Sequence, residues 1–288
     1  MRCMVKKIMK IKVTADSTCD LSEELIKKYD IEIIPLSVLK GNQSYLDTIE
    51  IHPQDIFDYF ESGNGLCTTS AVNAEQYMKT FERLSRENDA VIHVDISSEM
   101  SCCYQNACKA AESFDNVYVI DSRNLSTATG HIVIDACLLA QQGLSGKEIA
   151  DKLRQMTSKL EASFVIDKLT YLHKGGRCST VAALGANLLK LKPCIEVIDG
   201  AMTVGKKYRG SFAQAIDKYT RERLEGRDDI DYRRVFITHT GVSDEVMNIV
   251  KSNIEKYGKF EEVLETSAGC TVSCHCGPNT LGILFYRK

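Results

Sequence analysis

The sequence lacks the features by which several large classes of protein are first recognised. No stretch approaches the roughly 20 consecutive apolar residues of a membrane-spanning helix, so we expect no stable membrane insertion. It contains no phosphate-binding loop, no dinucleotide-binding glycine turn and no His-Glu-x-x-His zinc motif. The formal net charge is only −3, which gives no electrostatic reason for binding to nucleic acid, and we expect no nucleic-acid partner.

The amino-terminal segment, MRCMVKKIMKIKV, also lacks the uninterrupted apolar core of a secretory signal peptide, because lysines divide its apolar residues. We therefore expect a cytoplasmic protein. The twelve cysteines fit that compartment, since they are scattered through a long chain and do not resemble the framework of a small secreted domain. Most of them are expected to be reduced thiols that pack as small hydrophobic side chains.

Up to about residue 160, predicted strands alternate with predicted helices. The predicted strands are Ile11–Val13, the apolar run Ile31–Leu39, and segments near 90–96 and 117–120. Helices are predicted from Asp20, from Pro53, after Asn73, around Tyr104 and Ala107, over 127–142, and from Ser145 to about Leu160. This alternation is typical of a parallel sheet covered by helices, so residues 1–160 are predicted to form a Rossmann-like α/β domain.

After residue 160 the pattern changes. Asp199-Gly200 lies between two apolar runs and is a strong signal for a β-hairpin. Strands are predicted at Ser163–Ile166, near 234–238, near 260–266 and at Leu281–Tyr286, and helices over 182–191, 211–224 and 243–257. A hairpin combined with helices predicts an α+β domain over residues 161–288.

Hydroxyl-bearing residues recur where an apolar run gives way to a helix-like segment, at Asp16-Ser17-Thr18, Thr68-Thr69-Ser70, Ser97-Ser98 and Asp121-Ser122. In a parallel sheet such junctions gather at the carboxyl edge, where ligands usually bind. Small hydroxyls beside free helix N–H groups suit an anionic head group. Helix capping explains any single junction more simply. The repetition nevertheless favours a site that binds an acid and offers no obvious catalyst.

Seven segments, in order, resemble the DegV family of bacterial fatty-acid-binding proteins over about residues 10–287. They are KVTADSTCDLSEELIKKYDIEIIPL, TTSAVNAEQ, ISSEMSCCYQNA, VIDSRNLSTATG, FVIDKLTYLHKGGRCS, LLKLKPCIEVIDG and CHCGPNTLG. Each segment is weakly specific by itself, but the seven in the same order make the resemblance specific.

The resemblance implies a two-domain α/β protein that binds a long-chain fatty acid, such as palmitate, in a buried tunnel between the domains, with no other cofactor. It implies that the hydroxyls of Thr69 and Ser98 hold the carboxylate of the acid. Ser70 and Ser97 are the alternatives if the alignment of the two motifs is shifted by one residue.

By the same analogy, Arg177 and His275 lie close to the head group of the acid. The residues alone leave other interpretations open, because Arg177 after Gly175-Gly176 also suits an exposed turn. His275 before Gly277-Pro278 also suits an ordinary turn histidine.

The resemblance further implies a carrier and not an enzyme, one that presents the acid to a separate fatty acid kinase subunit, which makes acyl phosphate for lipid metabolism. The alternative is a phosphotransferase-like enzyme subunit related to dihydroxyacetone kinases, which turnover of ATP by the purified chain would indicate. A third possibility is a metal or redox sensor built on Cys270, Cys274, His275 and Cys276, although Cys-x-x-Cys spacing is missing.

The chain departs from the family pattern at a few positions near the expected site. Val72 stands where the family usually has proline, so the loop after Thr69 is expected to be less rigid. Cys102-Cys103 replaces Gly-Thr and removes the backbone freedom of a glycine. Cys276 and Asn279 flank the Gly-Pro pair. These changes are expected to affect the shape of the pocket and the choice of partner more than the ability to bind a lipid.

Overall fold

The computed structural model describes residues 9–182 and 191–288, which form three β-sheets with helices packed against them. The strands are β1 (Ile11–Asp16), β2 (Glu32–Ile34), β3 (Ser37–Lys40), β4 (Gln43–Leu46), β5 (Thr68–Ser70), β6 (Ala90–Asp95), β7 (Val117–Asp121), β8 (Leu160–Ile166), β9 (Leu191–Ile198), β10 (Ala201–Arg209), β11 (Ile230–His239), β12 (Glu262–Ser267) and β13 (Thr280–Arg287). The helices are α1 (Glu23–Lys28), α2 (Pro53–Glu61), α3 (Ala74–Glu87), α4 (Cys103–Ala111), α5 (Ser126–Gln141), α6 (Gly146–Met156), α7 (Thr170–Gly175), α8 (Ser179–Ala182), α9 (Phe212–Leu224), α10 (Asp244–Tyr257) and α11 (Cys270–Cys276).

The first sheet is parallel, with the strand order β2-β1-β6-β7. Every residue of the inner strand β6 is buried, as expected for a strand with helices on both faces of its sheet. The predicted α/β class with an amino-terminal parallel sheet is therefore confirmed.

The second sheet has six strands in the order β10-β9-β8-β13-β11-β12 and is antiparallel except for the pair β11 and β12. The predicted hairpin joins β9 to β10. Asp199 and Gly200 have φ angles of 50° and 85°, which the tight turn of a two-residue hairpin requires and which glycine adopts without strain.

Helix α5 lies between these two sheets. Its residues are buried on all sides from Ser126 to Cys137, and it contacts β1 and β6 on one side and β8, β11 and β13 on the other. One hydrophobic cluster contains side chains from both sheets. The division of the chain at residue 160 stays a prediction, and Leu160 is the first residue of β8. In the described part of the chain, no helix has both the length and the apolar character needed to cross a membrane.

The third sheet is antiparallel, with the order β4-β3-β5. It corrects the expectation that the hydroxyl junction at Thr68-Thr69-Ser70 lies at the edge of a parallel sheet. Thr69 lies on β5 opposite Val38 of β3. The hydroxyl junction at Thr69 is therefore not the carboxyl end of a parallel strand. A strand of three residues has no recognisable pattern of its own, since its pairing partner lies far away in the sequence.

The helix predicted to start at Asp20 begins later. Ser22 is its N-cap, and its Oγ accepts the Leu25 N–H at 3.3 Å. The carboxyl of Asp20 is bonded instead to the Gly269 N–H, at 2.8 Å, and to the Ser126 hydroxyl, at 2.5 Å. The prediction of this helix start was wrong because a distant part of the chain uses the Asp20 side chain.

Two other helix boundaries differ from the prediction. The helix capped by Ser145 and Glu148 ends at Met156, before a short 3-10 turn and β8. The helix predicted over 182–191 falls largely on residues 183–190, which lie outside the described residues. Leu191, its predicted last residue, is instead the first residue of β9.

Helix α11 is fixed at its start by two buried carboxyl groups. Asp47 Oδ1 accepts the Cys270 N–H at 2.8 Å, and Asp47 Oδ2 accepts the Thr271 N–H at 3.3 Å. Asp20 accepts the N–H of Gly269, the N-cap residue. These bonds satisfy backbone N–H groups that a helix cannot satisfy internally. A Cβ atom at Gly269 would lie only 3.0 Å from Thr48 Cγ2, so the close approach suits glycine.

We predict that Asp47→Ala lowers the free energy of unfolding by about 2–4 kcal/mol, because it leaves buried N–H groups without an acceptor. Urea denaturation measures the change. Asp58→Ala is the matched control, since Asp58 is exposed on α2 and its carboxyl bonds only to Gln54 among the described residues, and it should cost less than about 0.5 kcal/mol. An equal effect of the two substitutions would contradict the role given to Asp47.

A second prediction concerns pH. Burial raises the pKa of Asp20 from 3.8 to about 8, so the folded protein holds a proton that the unfolded chain releases. This contribution to stability is lost as the pH rises through the folded-state pKa. We expect the free energy of unfolding to fall by about 1 kcal/mol between about pH 7 and pH 9. Asp20→Asn, which is neutral at every pH, should remove most of this fall, and an unchanged slope in that variant would refute the assignment.

Candidate functional site

A cavity of about 440 Å³ lies between β5, the loop that follows β6, and α11. This volume is within the range of small-molecule sites. Its apolar lining includes Leu36, Ile96, Met100, Leu125, Met202 and Val272. A second cavity, of about 20 Å³, shares Leu125, Val272 and Cys276 with the first and continues to Phe164 and Leu284. The apolar space therefore extends from the large cavity toward the six-stranded sheet.

The structure brings all but one of the predicted site residues to the large cavity. Its lining includes Thr69, Ser70, Ser98, Arg177 and His275. Ser97 is not among the described lining residues. It is fully buried, and its hydroxyl donates a hydrogen bond of 2.7 Å to the carbonyl of Gly200 in the β9–β10 hairpin.

Thr69 and His275 are in direct contact, with 3.0 Å between Thr69 Oγ1 and His275 Nε2. Burial lowers the pKa of His275 to about 4, and the nearby cation of Arg177 contributes to this shift. The ring is therefore neutral near pH 7 and carries one N–H. Its other nitrogen, Nδ1, has no hydrogen-bond partner among the described residues. A Cβ atom at Gly175 would lie 2.5 Å from Nδ1, so this ring position requires glycine there.

Ser98 is contacted by a residue that the sequence reasoning did not select. Arg123 Nη1 lies 3.4 Å from Ser98 Oγ and 3.3 Å from Glu99 Oε1, and Arg123 also donates to the carbonyl of Asp199. The backbone N–H of Ser98 donates to Asp121 at 3.2 Å. Arg123 belongs to the quoted segment VIDSRNLSTATG, and its φ of 53°, uncommon outside glycine, is visible only in the structure.

Thr271 is a third hydroxyl at the cavity. It lies in the first turn of α11 and is buried, and its Oγ1 has no hydrogen-bond partner within residues 9–182 and 191–288. Buried hydroxyls are normally paired, so an unpaired one at a cavity indicates a ligand or water contact. The hydroxyls at the predicted strand ends all lie in the first half of the chain, so the sequence pattern does not include Thr271.

The carboxyl group of Asp16 binds backbone N–H groups next to the cavity. Its Oδ2 accepts the backbone N–H of Ile96 at 2.7 Å, and its Oδ1 accepts the backbone N–H of Thr18 at 2.8 Å. Burial, with a further effect of the nearby Asp95, raises the pKa of Asp16 to about 7. Because Ile96 lines the cavity, the Asp16 carboxyl positions the backbone that leads to Ser98.

The cysteine cluster considered as a metal site does not converge. Cys270 donates its thiol hydrogen to the carbonyl of Ile51 at 3.1 Å. In the described part of the chain, the potential metal ligands that lie within 4.8 Å of one another are Asp16, Asp95 and Cys103. The zinc hypothesis at Cys270, Cys274, His275 and Cys276 therefore lacks a geometric basis, because successive residues of a helix point in different directions.

The loop after Thr69 is held without the proline of the family pattern. Val72 is buried, and its carbonyl accepts a hydrogen bond of 2.8 Å from Asn106 Nδ2. Cys102 lies exposed at the cavity, whereas Cys103 is buried and its backbone N–H donates to the Ser101 hydroxyl at 3.3 Å.

The chain is similar to one protein family along nearly its whole length. Residues 10–288 match a family model described as "Uncharacterised protein, DegV family". A DegV domain-containing protein of Clostridium acetobutylicum is 33% identical over 284 residues, which cover 97% of this chain and 99% of that protein. Another, from Clostridium perfringens, is 31% identical over 289 residues, with coverage of 97% and 99%.

Solved structures agree with these matches. A DegV family protein of Thermus thermophilus, described as binding fatty acid, has a TM-score of 0.88 and 28% identity, with 97% of this chain and all of that chain (100%) covered. A protein of Thermotoga maritima described as having a fatty acid binding function has a TM-score of 0.81 and 26% identity, with coverage of 97% and 100%. A stearic-acid-binding protein of Eubacterium ventriosum has a TM-score of 0.82 and 26% identity, with coverage of 96% and 98%. The chain belongs to the DegV family.

Proposed function

We propose that this protein binds a long-chain fatty acid such as palmitate and holds its carboxylate with the hydroxyls of Thr69 and Ser98. The observation that carries the proposal is the shared position of these hydroxyls at one cavity, each backed by a nitrogen-bearing side chain, with apolar lining beside them. The fatty-acid-binding relatives of known structure support it.

The contact between Thr69 and His275 suits a carboxylate. If the neutral ring of His275 donates from Nε2 to Thr69 Oγ1, the Thr69 hydroxyl keeps its own hydrogen for the ligand. In the opposite tautomer, His275 Nε2 accepts the hydrogen of the Thr69 hydroxyl. Thr69 Oγ1 could then only accept a hydrogen bond from a ligand. A carboxylate accepts hydrogen bonds, so its binding favours the first tautomer. A bond of this charge-assisted kind contributes roughly 1.5–3 kcal/mol.

The hydroxyl oxygen of Ser98 also accepts a hydrogen bond from a neighbouring side chain, which in this case is a cation. Arg123 donates toward Ser98 Oγ, which leaves the Ser98 hydrogen free to donate to the second oxygen of the carboxylate. Arg177 is exposed at the cavity with one nitrogen bonded to the carbonyl of Gly175. Its positive charge attracts the acid toward the opening without burying an ion pair.

The acyl chain would follow the apolar lining past Leu125 and Val272 toward the smaller cavity. About fifteen methylene groups contribute roughly 12 kcal/mol in gross transfer free energy, at about 0.8 kcal/mol each. Ordering the ligand removes a large part of this sum. The tail would therefore set the affinity, and the hydroxyls would set the direction in which the acid lies.

The proposal includes presentation of the acid to a fatty acid kinase subunit in the cytoplasm. Neutral hydroxyls leave the carboxylate oxygens more available for phosphoryl transfer than a buried salt bridge does. The phosphotransferase alternative needs an accessible histidine nitrogen at the cavity. Among the described lining residues His275 is the only histidine, and its Nε2 is engaged by Thr69 while its Nδ1 lies against Gly175. This geometry favours the carrier.

We predict that combining Thr69→Val with Ser98→Ala lowers fatty acid affinity by about 100-fold or more, because two charge-assisted hydrogen bonds are lost. Organic extraction of the purified protein followed by mass spectrometry measures the retained acid. Ser70→Ala is the matched control at the same cavity and should retain it. Wild-type lipid content in the double variant would refute the site, and loss of lipid in Ser70→Ala would show that the assignment is shifted by one residue.

We also predict different effects for two substitutions of His275. His275→Gln keeps a donor that reaches Thr69 and should change affinity by less than about threefold, whereas His275→Leu should weaken binding by about tenfold. Titration of a fluorescent fatty acid measures both. Since the pKa of His275 is about 4, the His275-dependent part of binding should be constant between about pH 6 and pH 8. Equal losses in the two variants would contradict the donor role of this ring.

A further inference from the structure

Three buried side chains with metal-binding atoms meet at the carboxyl edge of the parallel sheet. Asp16 is the last residue of β1, Asp95 is the last residue of β6, and Cys103 is the first residue of α4. Strands β1 and β6 are neighbours in this sheet. One carboxylate oxygen of each acid and the sulfur of Cys103 all lie within 4.8 Å of one another. Each of the three residues has an exposed fraction of 0%.

We infer that Asp16, Asp95 and Cys103 form a zinc-binding site, at which one Zn²⁺ ion ties β1 and β6 to the start of α4. Zinc accepts thiolate and carboxylate ligands together, whereas calcium and magnesium take oxygen ligands. Cys103 stands where the family pattern has threonine, so the sulfur ligand distinguishes this chain from that pattern. The inference does not depend on the proposed function, since the three residues are not among the described lining residues of the cavity.

A free oxygen of Asp95 points to a cation. Asp95 Oδ1 accepts a hydrogen bond of 2.7 Å from the Tyr77 hydroxyl and lies 3.0 Å from His93 Nε2. Asp95 Oδ2 is buried and has no hydrogen-bond partner among the described residues. Within residues 9–182 and 191–288, neither Asp16 nor Asp95 forms an ion pair with a lysine or an arginine. Since buried carboxylates are normally paired or coordinate a metal, a bound cation would supply the missing partner.

Neighbouring groups hold the other two ligands in place. The carboxyl of Asp16 accepts the backbone N–H groups of Thr18 and Ile96 at 2.8 Å and 2.7 Å. The Ser101 hydroxyl donates a hydrogen bond of 3.2 Å to the sulfur of Cys103. A hydrogen bond donated to sulfur favours the thiolate, which is the form that binds a metal. Hydrogen bonds of this kind are typical of metal sites, because they fix the orientation of the ligands.

The spacing of the three atoms suits one zinc ion. Zinc binds carboxylate oxygen at about 2.0–2.2 Å and thiolate sulfur at about 2.3 Å, so tetrahedral ligands lie roughly 3.3–3.8 Å apart. The three atoms therefore need to approach one another by at most about 1.5 Å. Binding releases the thiol proton of Cys103, with any proton that the two acids hold, and a water molecule takes the fourth position. Because the three residues are fully buried, the ion enters while the chain folds.

The test uses the full chain, expressed in medium supplemented with zinc chloride and purified without chelators. Metal analysis should find one zinc per chain. X-ray absorption at the zinc edge should show one sulfur neighbour at about 2.3 Å and three oxygen neighbours at about 2.0–2.2 Å. Growth with cobalt chloride should instead give a thiolate-to-cobalt charge-transfer absorption. The zinc-loaded protein should melt about 5 °C higher than protein from zinc-limited medium.

Cys103→Thr is the variant that separates this site from other zinc-binding groups. Threonine is the residue of the family pattern at this position, so the substitution should preserve the fold. It should lose the zinc, the cobalt absorption and the zinc-dependent rise in melting temperature. Cys108→Ser is the matched control, because Cys108 lies half-buried on the same helix, and it should keep all three.

Wild-type protein without zinc overturns the inference, and the two acids then share a proton only. Zinc bound equally by Cys103→Thr, or a zinc ion with nitrogen or several sulfur neighbours, places the ion elsewhere and overturns it as well. The X-ray absorption of the wild type decides this even if the variant does not fold. Extraction of fatty acid from the same samples tests the proposed function separately.

Discussion

Helix α11 depends on carboxyl groups from the opposite end of the chain, and the candidate site depends on α11. Asp20 and Asp47 accept the N–H groups of Gly269, Cys270 and Thr271. A helix of seven residues has few internal hydrogen bonds and does not persist alone in water. The two acids thus compensate for the short length of the helix, and the first part of the chain determines where its last functional residues lie.

On the opposite side of the cavity, carboxyl groups also hold backbone N–H groups in place. The Asp16 carboxyl holds the backbone of Ile96, and the Asp121 carboxyl holds that of Ser98. The polar groups at the ends of β1 and β7 therefore position backbone more than they face a ligand. The row of hydroxyls in the sequence separates into residues that line the cavity, such as Thr69 and Ser98, and residues that support it, such as Ser97.

The sequence predicted correctly the features whose bonding partners lie within a few residues. The helices predicted after Asn73 and from Ser145 begin there, where Asn73 with Gln76 and Ser145 with Glu148 form capping boxes, and Asp199-Gly200 forms its hairpin. The predicted helix start at Asp20 was wrong, and β5 and α11 were not predicted, because the bonding partners of these segments lie far away in the sequence. Arg123 and Thr271 were missed for the same reason, because what distinguishes them is a contact or an unpaired hydroxyl that exists only after folding.

Among the cysteines that the structure describes, Cys102 alone is exposed, and it lines the large cavity. Thiol reagents react fastest with accessible thiols, while most of the other described cysteines are buried among apolar side chains. Among these described cysteines, a maleimide dye would thus attach preferentially to Cys102. Cys102 is therefore a natural labelling position in the wall of the cavity, where an attached dye would sense the arrival of an apolar molecule.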